Sequence, residues 1–270
     1  MTPQSTVPLL EARGIVKRYG AVHALDGVDL QLLPNEVLGV VGDNGAGKST
    51  LIKILSGVVV PDHGSLFVDG QPVTIRNPME ARRHGIETVY QDLAVIPYLD
   101  VEANLFLGRE LTGKNWWNGW LLDKKAMRDE AIRHISSLQI GLRSVRHPVG
   151  LLSGGQRQGV AVARSISWGR KIVIMDEPTA ALGVKESRGV LELIKRVRER
   201  GISVILISHN MPHVFEVTDR IFVLRHGQHA GTLHTREASM NNVISLITGV
   251  DVQAAHAFID KVPPAPHAGA

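Results

Sequence analysis

Cysteine and long apolar runs are both missing from this sequence of 270 residues. Without cysteine, disulfide bonds and cysteine-ligated zinc sites are excluded, and a reducing compartment is compatible with the composition. The longest apolar runs, such as Val37–Val41 and Val204–Ile207, have the length of a β-strand. They fall well short of the roughly 18 residues that indicate a membrane-spanning helix. If the protein serves a membrane, another chain provides the span.

The N-terminus and the charge pattern exclude further classes of protein. Residues 1–8 contain no Lys or Arg and no apolar core, so a secretory signal is not predicted. Aromatic residues make up 4% of the chain, and the formal net charge is only +4, with the basic residues spread out. Because nucleic-acid binding requires a clustered basic stripe, we expect no nucleic-acid partner. The 44% of hydrophobic residues is ample for the core of one unit with attached subdomains, or of two small domains.

Strand and helix patterns alternate over most of the chain, which predicts a mainly parallel sheet with helices on both faces. Residues 9–41 are interpreted as short strands broken by turns, one of them at Pro34-Asn35. From about 92 to 165 helical patterns dominate, which predicts a helical subdomain inserted into an α/β core. The other predicted elements are helices at Lys48–Ser56, 78–85, Asp123–Leu138 and Val190–Arg200, and strands at Val37–Val41, Ser65–Val68, Thr88–Tyr90, Ile172–Met175, Ser203–Ser208 and Ile221–Leu224.

A glycine-rich segment joins the predicted strand Val37–Val41 to the next helix, as in a phosphate-binding P-loop. Its glycines let the backbone approach phosphates closely, and its N–H groups and the helix N-terminus favour negative charge. Lys48 would place a positive charge on the β- and γ-phosphates, and Ser49 would offer its hydroxyl to Mg²⁺. The alternative is an ordinary glycine-rich turn. The predicted nucleotide-binding residues here are Gly42, Asp43, Asn44, Gly45, Ala46, Gly47, Lys48, Ser49 and Thr50.

Two adjacent carboxylates, Asp176 and Glu177, follow the apolar strand Ile172–Met175. Asp176 is expected to hold Mg²⁺, directly or through water. Glu177 is expected to polarise the attacking water as a general base, which typically contributes on the order of 10²–10⁴ in rate. The alternative is an acidic turn capped by Pro178. The order of the segments, with the P-loop before the helical insert and the carboxylates after it, favours the catalytic interpretation.

The segment Leu151–Gln158 reads Leu-Leu-Ser-Gly-Gly-Gln-Arg-Gln. Taken alone, Ser-Gly-Gly before a helical pattern is compatible with an ordinary helix N-cap. A chance occurrence of the Leu-Ser-Gly-Gly-Gln pentapeptide is far rarer than a chance P-loop, because five specified positions rarely coincide at ordinary residue frequencies. We therefore interpret the segment as a second clamp on a nucleotide whose first clamp is the P-loop.

P-loop, Leu-Ser-Gly-Gly-Gln and an apolar strand ending in Asp-Glu, in this order, resemble the nucleotide-binding domain of ATP-binding-cassette (ABC) transporters. The resemblance covers residues 9–250, with residues 251–270 as a C-terminal tail that we expect to be partly disordered. It implies an α/β fold with a P-loop NTPase (RecA-like) core, a mainly parallel sheet, an N-terminal antiparallel β subdomain and the inserted helical subdomain. It also implies ATP hydrolysis with Mg²⁺ as cofactor. Ser153, Gly154, Gly155 and Gln156 would address the γ-phosphate of ATP held by a second copy of the chain.

Three further positions match the family one at a time. Tyr19 resembles the aromatic residue that stacks on adenine, although a half-buried strand tyrosine is the alternative. Gln91 resembles the glutamine that contacts Mg²⁺ and senses the membrane partner. His209 resembles the switch histidine that contacts the γ-phosphate. A metal site formed by His209 and His213 is disfavoured, because Pro212 lies between them.

One position departs from the family pattern. Gly183 stands where the family usually has an aspartate that crosses the dimer interface. The resemblance implies that communication between two ATP sites differs here, with the segment Ser153–Gln156 carrying more of the contact between subunits. The sequences of residues 179–182, 89–92 and 104–110 resemble the ATPases of simple-sugar importers of the ribose, xylose and fructose type. With one P-loop, the chain resembles the single-cassette kind associated with fructose-type uptake.

The resemblance implies a peripheral ATPase at the cytoplasmic face of the cell membrane. Its partners would be a second copy, multi-span permease subunits and, indirectly, a periplasmic or extracellular sugar-binding protein. Alternatives are an importer ATPase for another small solute, a soluble ABC ATPase in translation or DNA repair, and a non-hydrolysing nucleotide sensor. Trp116, Trp117 and Trp120 form an aromatic group inside the insert. They are interpreted either as local packing or as a docking surface for the permease.

Overall fold

The computed structural model describes residues 7–113, 121–167 and 171–250. The aromatic group at 116–120 and the tail at 251–270 lie outside the described residues. The strands are β1 (Leu10–Tyr19), β2 (Val22–Leu32), β3 (Val37–Val41), β4 (His63–Val68), β5 (Gln71–Val73), β6 (Ile86–Val89), β7 (Ile172–Asp176), β8 (Ser203–Ile207), β9 (Arg220–Arg225) and β10 (Gln228–His234). The helices are α1 (Lys48–Leu55), α2 (Pro78–Arg83), α3 (Val101–Phe106), α4 (Lys124–Ser137), α5 (Gly154–Ile166), α6 (Val184–Glu199), α7 (Met211–Val217) and α8 (Met240–Thr248).

The N-terminal sheet is antiparallel, with strand order β2-β1-β4-β5. The interpretation of residues 9–41 as short strands is wrong, because β1 and β2 are long strands of 10 and 11 residues. Gly14 and Gly27 look like turn residues in the sequence, but they lie inside the strands with φ of 59° and 73°. The register between β1 and β2 shifts next to Gly14. A bulge therefore absorbs a glycine that would otherwise suggest a turn.

The second sheet has six strands in the order β10-β9-β3-β8-β7-β6. All its neighbouring pairs are parallel except β10 with β9, which confirms the predicted mainly parallel sheet. Every residue of β3 and β8 is buried, as expected for central strands covered on both faces. The carboxyl ends of parallel strands meet at one sheet edge, where α/β proteins bind ligands. This edge carries the predicted site, because each of its parts lies at or just after the carboxyl end of a strand: the P-loop after β3, Gln91 after β6, Asp176 at the end of β7 and His209 after β8.

The helices in the region 92–165 agree with the predicted insert. Asp123 caps α4 by accepting a hydrogen bond from the backbone N–H of Ala126 at 2.9 Å. α3 and α4 both pack on α5. The predicted start of α6 at Val190 is wrong, since the helix begins six residues earlier at Val184. Val184 is 88% exposed, so the first turn has little of the apolar periodicity that marks the rest of the helix.

Buried side chains form separate clusters on the two faces of the six-stranded sheet. One joins the N-terminal sheet to α1 and contains Leu38 and Ile205, and the other lies beneath α3–α6 and contains Val37 and Val204. Neighbouring strand residues thus point to opposite faces, as the pleat requires. Within residues 7–113, 121–167 and 171–250, no helix combines the length and apolar character needed to cross a bilayer.

Candidate nucleotide site

The P-loop runs from the end of β3 to the start of α1 and is fitted closely against neighbouring backbone. Gly47 has φ of 106°, and a Cβ atom there would lie 2.5 Å from the carbonyl oxygen of Ala24. Gly42, with φ of 154°, has the carbonyl oxygen of Leu224 in the space that a Cβ would need. Gly45, with φ of 81°, meets no atom within 4 Å. Gly42 and Gly47 are therefore required by packing, whereas Gly45 faces open space.

Lys48 begins α1 and curls back over the loop that precedes it. Its Nζ donates hydrogen bonds to the carbonyl oxygens of Gly42 at 2.7 Å and Asp43 at 2.8 Å. Burial lowers the pKa of Lys48, and the nearby carboxylates of Glu177, Asp43 and Asp176 oppose that shift. The ammonium group thus lies at the mouth of the loop, where it can exchange carbonyl partners for phosphate oxygens. The predicted role of Lys48 fits this geometry.

Asp176 is the last residue of β7 and is half-buried. Burial raises its pKa, and the adjacent Glu177 carboxylate raises it further, while Lys48 and Lys53 lower it. A half-buried carboxylate beside a second carboxylate is stabilised by a nearby cation, and Mg²⁺ prefers oxygen ligands of this kind. Asp176, with the predicted hydroxyl ligand Ser49 at the start of α1, provides a donor set that fits Mg²⁺. The ion would supply charge neutralisation for the phosphates.

Glu177 and His209 form a direct pair at the ends of the adjacent strands β7 and β8. Oε1 of Glu177 lies 2.8 Å from Nδ1 of His209 and accepts the backbone N–H of the same residue at 3.1 Å. The side chain of His209 is 75% exposed, whereas that of Glu177 is 16% exposed. Glu177 has a φ of 48°, a strained value for a side chain of this kind, and such strain tends to occur at functional sites. The structure thus brings together the predicted base and the predicted switch histidine.

Ser153 caps α5 in a complete capping box. Its Oγ accepts the N–H of Gln156 at 3.3 Å, and Oε1 of Gln156 accepts the N–H of Ser153 at 3.0 Å. Nε2 of Gln156 also donates to the carbonyl oxygen of Gly141 at 2.6 Å. The glutamine side chain is therefore held within its own protomer. The ordinary N-cap and the second clamp are compatible, because the cap leaves the glycine N–H groups at the positive end of the helix.

The surroundings of Ser153–Gln156 belong to the helical region and α6 rather than to the P-loop. A cavity of about 630 Å³ beside this segment is lined by residues of 138–141, the first turns of α5, and α6. Leu151, immediately before the segment, is 80% exposed. In the described part of the chain, the P-loop contributes no residue to this cavity. The two predicted clamps therefore occupy different surfaces of one protomer.

Tyr19 ends β1 with 48% of its surface exposed, so its ring is available for stacking. Nζ of Lys17 lies 5.8 Å from the ring centroid and forms an ion pair of 2.7 Å with Asp62. Asp62 also accepts the backbone N–H of Arg18 at 2.7 Å. These contacts fix the strand end that presents the tyrosine. The adenine-stacking role of Tyr19 stays a prediction.

Gln91 is exposed and follows β6 by two residues. The preceding Tyr90 donates its hydroxyl to Oγ of Ser56, the C-cap of α1, at 3.2 Å. The sequence alone does not single out this tyrosine, because an aromatic residue at a strand end is typical of ordinary packing. The structure thus places a link from the Gln91 segment to the helix that carries the P-loop lysine.

His213 contacts a threonine side chain. Its Nδ1 lies 3.1 Å from Oγ1 of Thr179, in the loop after Glu177. Pro212 lies in the first turn of α7, where proline is tolerated, and His209 lies before the helix begins at Met211. Across 7–113, 121–167 and 171–250, no group of three or more His, Asp or Glu side chains has the arrangement of a metal site.

Gly183, the departure from the family pattern, is the N-cap of α6 and makes no side-chain capping bond. Its φ of −68° is open to any residue. A Cβ atom at this position would lie 2.6 Å from Oε2 of Glu186. Sequence reasoning missed Glu186, although a glutamate three residues after a helix N-cap is a known capping signal.

A family model described as "ABC transporter" matches residues 25–180. The chain is 53% identical over 245 residues to a fructose import ATP-binding protein of Rhizobium meliloti, covering 90% of this chain and 94% of the relative. It is 46% identical over 240 residues to a xylose/arabinose import ATP-binding protein of Sulfolobus acidocaldarius, covering 94% of that protein. A ribose import ATP-binding protein of Rubrobacter xylanophilus is 42% identical, and the match spans 48% of its length.

Solved structures share the fold. A nucleotide-free ATP-binding cassette from an ABC transporter aligns with a TM-score of 0.76 and 25% identity, over 91% of this chain and 98% of that one. The ADP conformation of another ATP-binding cassette of an ABC transporter aligns with a TM-score of 0.78 at 24% identity, over 93% of this chain and 99% of that one. These likenesses confirm the predicted fold class. The family match over residues 25–180 and the 53% identity to the import ATP-binding protein of Rhizobium meliloti establish that the chain belongs to the ATP-hydrolysing, ATP-binding subunits of ABC transporters.

Proposed function

We propose that this chain is the energy-coupling ATPase of an importer for a simple sugar, with fructose and ribose as the first candidates. The observation that carries the proposal is the 53% identity to a fructose import ATP-binding protein over 94% of that protein's length. Residues 9–250 form the cassette in this proposal. The alternative, an importer of another small solute, uses the same site and differs only in what the partner proteins bind.

In the proposed cycle, Lys48 releases its two carbonyl partners and binds the β- and γ-phosphates of ATP. Ser49, Asp176 and Gln91 would hold Mg²⁺, which would supply charge neutralisation for the phosphates. The carboxylate of Glu177 takes a proton from the attacking water as the water oxygen bonds to the γ-phosphorus. The bond between that phosphorus and the β,γ-bridging oxygen breaks, which leaves ADP and phosphate. His209 keeps the carboxylate oriented through its contact of 2.8 Å with Oε1. Tyr19 stacks on the adenine. Removal of the γ-phosphate then ends the charge contacts that hold the closed state.

A second copy of the chain is the proposed partner for this cycle. The segment Ser153–Gln156 is separated from the P-loop of its own protomer, so a second protomer can bring its own P-loop against it. Two apolar side chains beside the segment support the proposal, since Leu151 is 80% exposed and Val184 is 88% exposed. Each ATP would then lie between the P-loop of one copy and the first turn of α5 of the other.

The permease is proposed to dock in a groove between the Gln91 segment and the helical region. A cavity of about 210 Å³ there is lined by Glu87, Arg109 and Arg164, among others. Burial lowers the pKa of the Arg164 guanidinium, and the positive charges of Arg82 and Arg109 lower it further, while the Glu87 carboxylate, which pairs with Arg82 at 3.1 Å, opposes the shift. An excess of positive charge favours a docking segment that carries a carboxylate. This docking would place the chain on the cytoplasmic face of the membrane.

The test is reconstitution of the chain in proteoliposomes with candidate permease subunits and a candidate sugar-binding protein. We expect ATP hydrolysis to rise when the binding protein is loaded with fructose or ribose, and labelled sugar to accumulate only with ATP present. Stimulation by a different solute, with no response to sugars, would establish the alternative. The variant Arg164→Glu should lose the stimulation, while ATP hydrolysis by the isolated chain should persist.

A further inference from the structure

The end of β1 that carries Tyr19 extends past the point where its pairing with β4 stops. The last pair in that register joins Val16 to His63. On the other edge, pairing with β2 continues to Tyr19, but its register shifts between Lys17 and Arg18. A bulge of this kind interrupts the ladder locally and re-aims side chains. This strand end therefore needs bonds outside the regular strand pairing to fix its conformation.

Asp62, the residue before β4, supplies such bonds from its main chain and its side chain. Its backbone N–H donates to the carbonyl oxygen of Val16 at 2.8 Å. Its Oδ2 accepts the backbone N–H of Arg18 at 2.7 Å. The carboxylate thus satisfies a backbone donor of β1 that lies beyond the last residue pair of the two strands.

The other carboxylate oxygen of Asp62 holds a lysine against the tyrosine. Oδ1 accepts Nζ of Lys17 at 2.7 Å, and this ammonium group lies over the Tyr19 ring, 5.8 Å from its centroid, within the range of a cation–π contact. The hydrogen bonds from Lys17 and from the backbone of Arg18 lower the pKa of Asp62, so the carboxylate stays ionised at neutral pH. One face of the ring is therefore covered by a tethered cation, which leaves the other face for a base.

We propose that Asp62 is a positioning residue for adenine binding. Its two oxygens fix Lys17 and Arg18 and, through them, the Tyr19 ring. A ring that is ordered before ATP arrives loses less conformational freedom on binding, which favours tighter binding. The inference rests on the stacking role of Tyr19 in the proposed function and does not depend on which solute is carried.

The first test compares Asp62→Ala with Asp29→Ala as a matched control. Oδ1 of Asp29 accepts the backbone N–H of Gly14 at 2.6 Å, so this aspartate ties down the same strand away from the tyrosine. We expect Asp62→Ala to raise KM for ATP about 3- to 10-fold, a fraction of the roughly 5- to 150-fold that loss of base stacking implies. Because the base is bound alike in the ground state and the transition state, kcat should change less than about twofold. Asp29→Ala should keep the KM of the wild type.

Two further substitutions separate the ion pair from the backbone bond. Asp62→Asn keeps an oxygen that can accept the N–H of Arg18, but it loses the charge that holds Lys17. Lys17→Met removes the ammonium group and keeps a long side chain at that position. Both should raise KM for ATP by less than Asp62→Ala does, with kcat unchanged within about twofold.

A double-mutant cycle tests whether Asp62 acts through Tyr19. In a Tyr19→Ala background no ring remains to be positioned, so adding Asp62→Ala should raise KM by less than about a further twofold. A structural effect that reached the P-loop would instead multiply with the loss of the ring. Urea unfolding of each variant checks that it is folded under the conditions of the assay.

The proposal is overturned if folded Asp62→Ala or Lys17→Met keeps the KM of the wild type, if Asp29→Ala raises KM as much, or if the effects of Asp62→Ala and Tyr19→Ala multiply. Lys17→Met remains informative if Asp62→Ala does not fold. A raised KM in Tyr19→Ala beside a wild-type KM in Asp62→Ala would contradict the positioning role alone. A wild-type KM in Tyr19→Ala would contradict the proposed stacking itself, and the positioning role with it.

Discussion

Replacing Gly47 by alanine should destabilise the chain considerably more than replacing Gly45 by alanine. Both glycines have positive φ, 106° and 81°, so both variants incur backbone strain of about 1–3 kcal/mol. They differ in the space around the new methyl group. At Gly47 it would lie 2.5 Å from the carbonyl oxygen of Ala24 and 2.8 Å from Cδ2 of Leu25, whereas at Gly45 it meets nothing within 4 Å.

The difference between the two variants isolates that steric contact. Overpacking of this kind costs about 1–3 kcal/mol, and the entropy that alanine removes from the unfolded chain is common to both variants. With a urea dependence of about 3 kcal/mol per molar, the unfolding midpoint of Gly47→Ala should lie roughly 0.3–1 M below that of Gly45→Ala. Unfolding would be followed by circular dichroism without nucleotide. Equal midpoints would refute the claim that Gly47 is required by packing against β2.

Two further predictions concern the nucleotide and the ion. Tyr19→Ala should raise KM for ATP by about 5- to 150-fold, the equivalent of roughly 1–3 kcal/mol of base stacking, while Tyr19→Phe stays within about twofold; an unchanged KM in Tyr19→Ala would remove the stacking role. Burial and the Glu177 carboxylate raise the pKa of Asp176, so ionisation of Asp176 destabilises the folded chain. This destabilisation is absent below the ordinary pKa of aspartate and develops as pH rises through the pKa of the folded state. Asp176→Asn should therefore unfold at higher urea than the wild type at pH 7 without Mg²⁺, and the gap should close on acidification; a gap independent of pH would contradict this cause.

The placement of the candidate site residues could be predicted from the sequence because these residues are concentrated at the ends of buried strands. Val37–Val41 and Ile172–Met175 are apolar runs that end abruptly in glycine or carboxylates. Parallel strands place such ends at one edge, and the structure has the Glu177–His209 pair there at 2.8 Å. The predicted residues are close together because adjacent parallel strands carry them.

What could not be predicted depends on contacts between distant segments. Gly14 and Gly27 are typical of turns, yet they lie inside long strands because the partner strand absorbs them as irregularities in the register. The close approach of Glu186 to Gly155 could not be predicted either, since the two residues belong to different helices that meet only in the folded chain. The start of α6 was also missed, because Val184 is exposed and the helical periodicity begins at Val190. Each of these features depends on tertiary packing rather than on local pattern.

The measurement that tests the central claim most directly is ATP turnover and assembly of Glu177→Gln. The amide keeps the size of the side chain and removes its capacity to accept a proton, so kcat should fall by on the order of 10²–10⁴. ATP binding should persist, and with ATP and Mg²⁺ the variant should sediment as a stable dimer. Turnover near that of the wild type would contradict the assignment of Glu177 as the base, and a monomer at saturating ATP would contradict the proposed dimer.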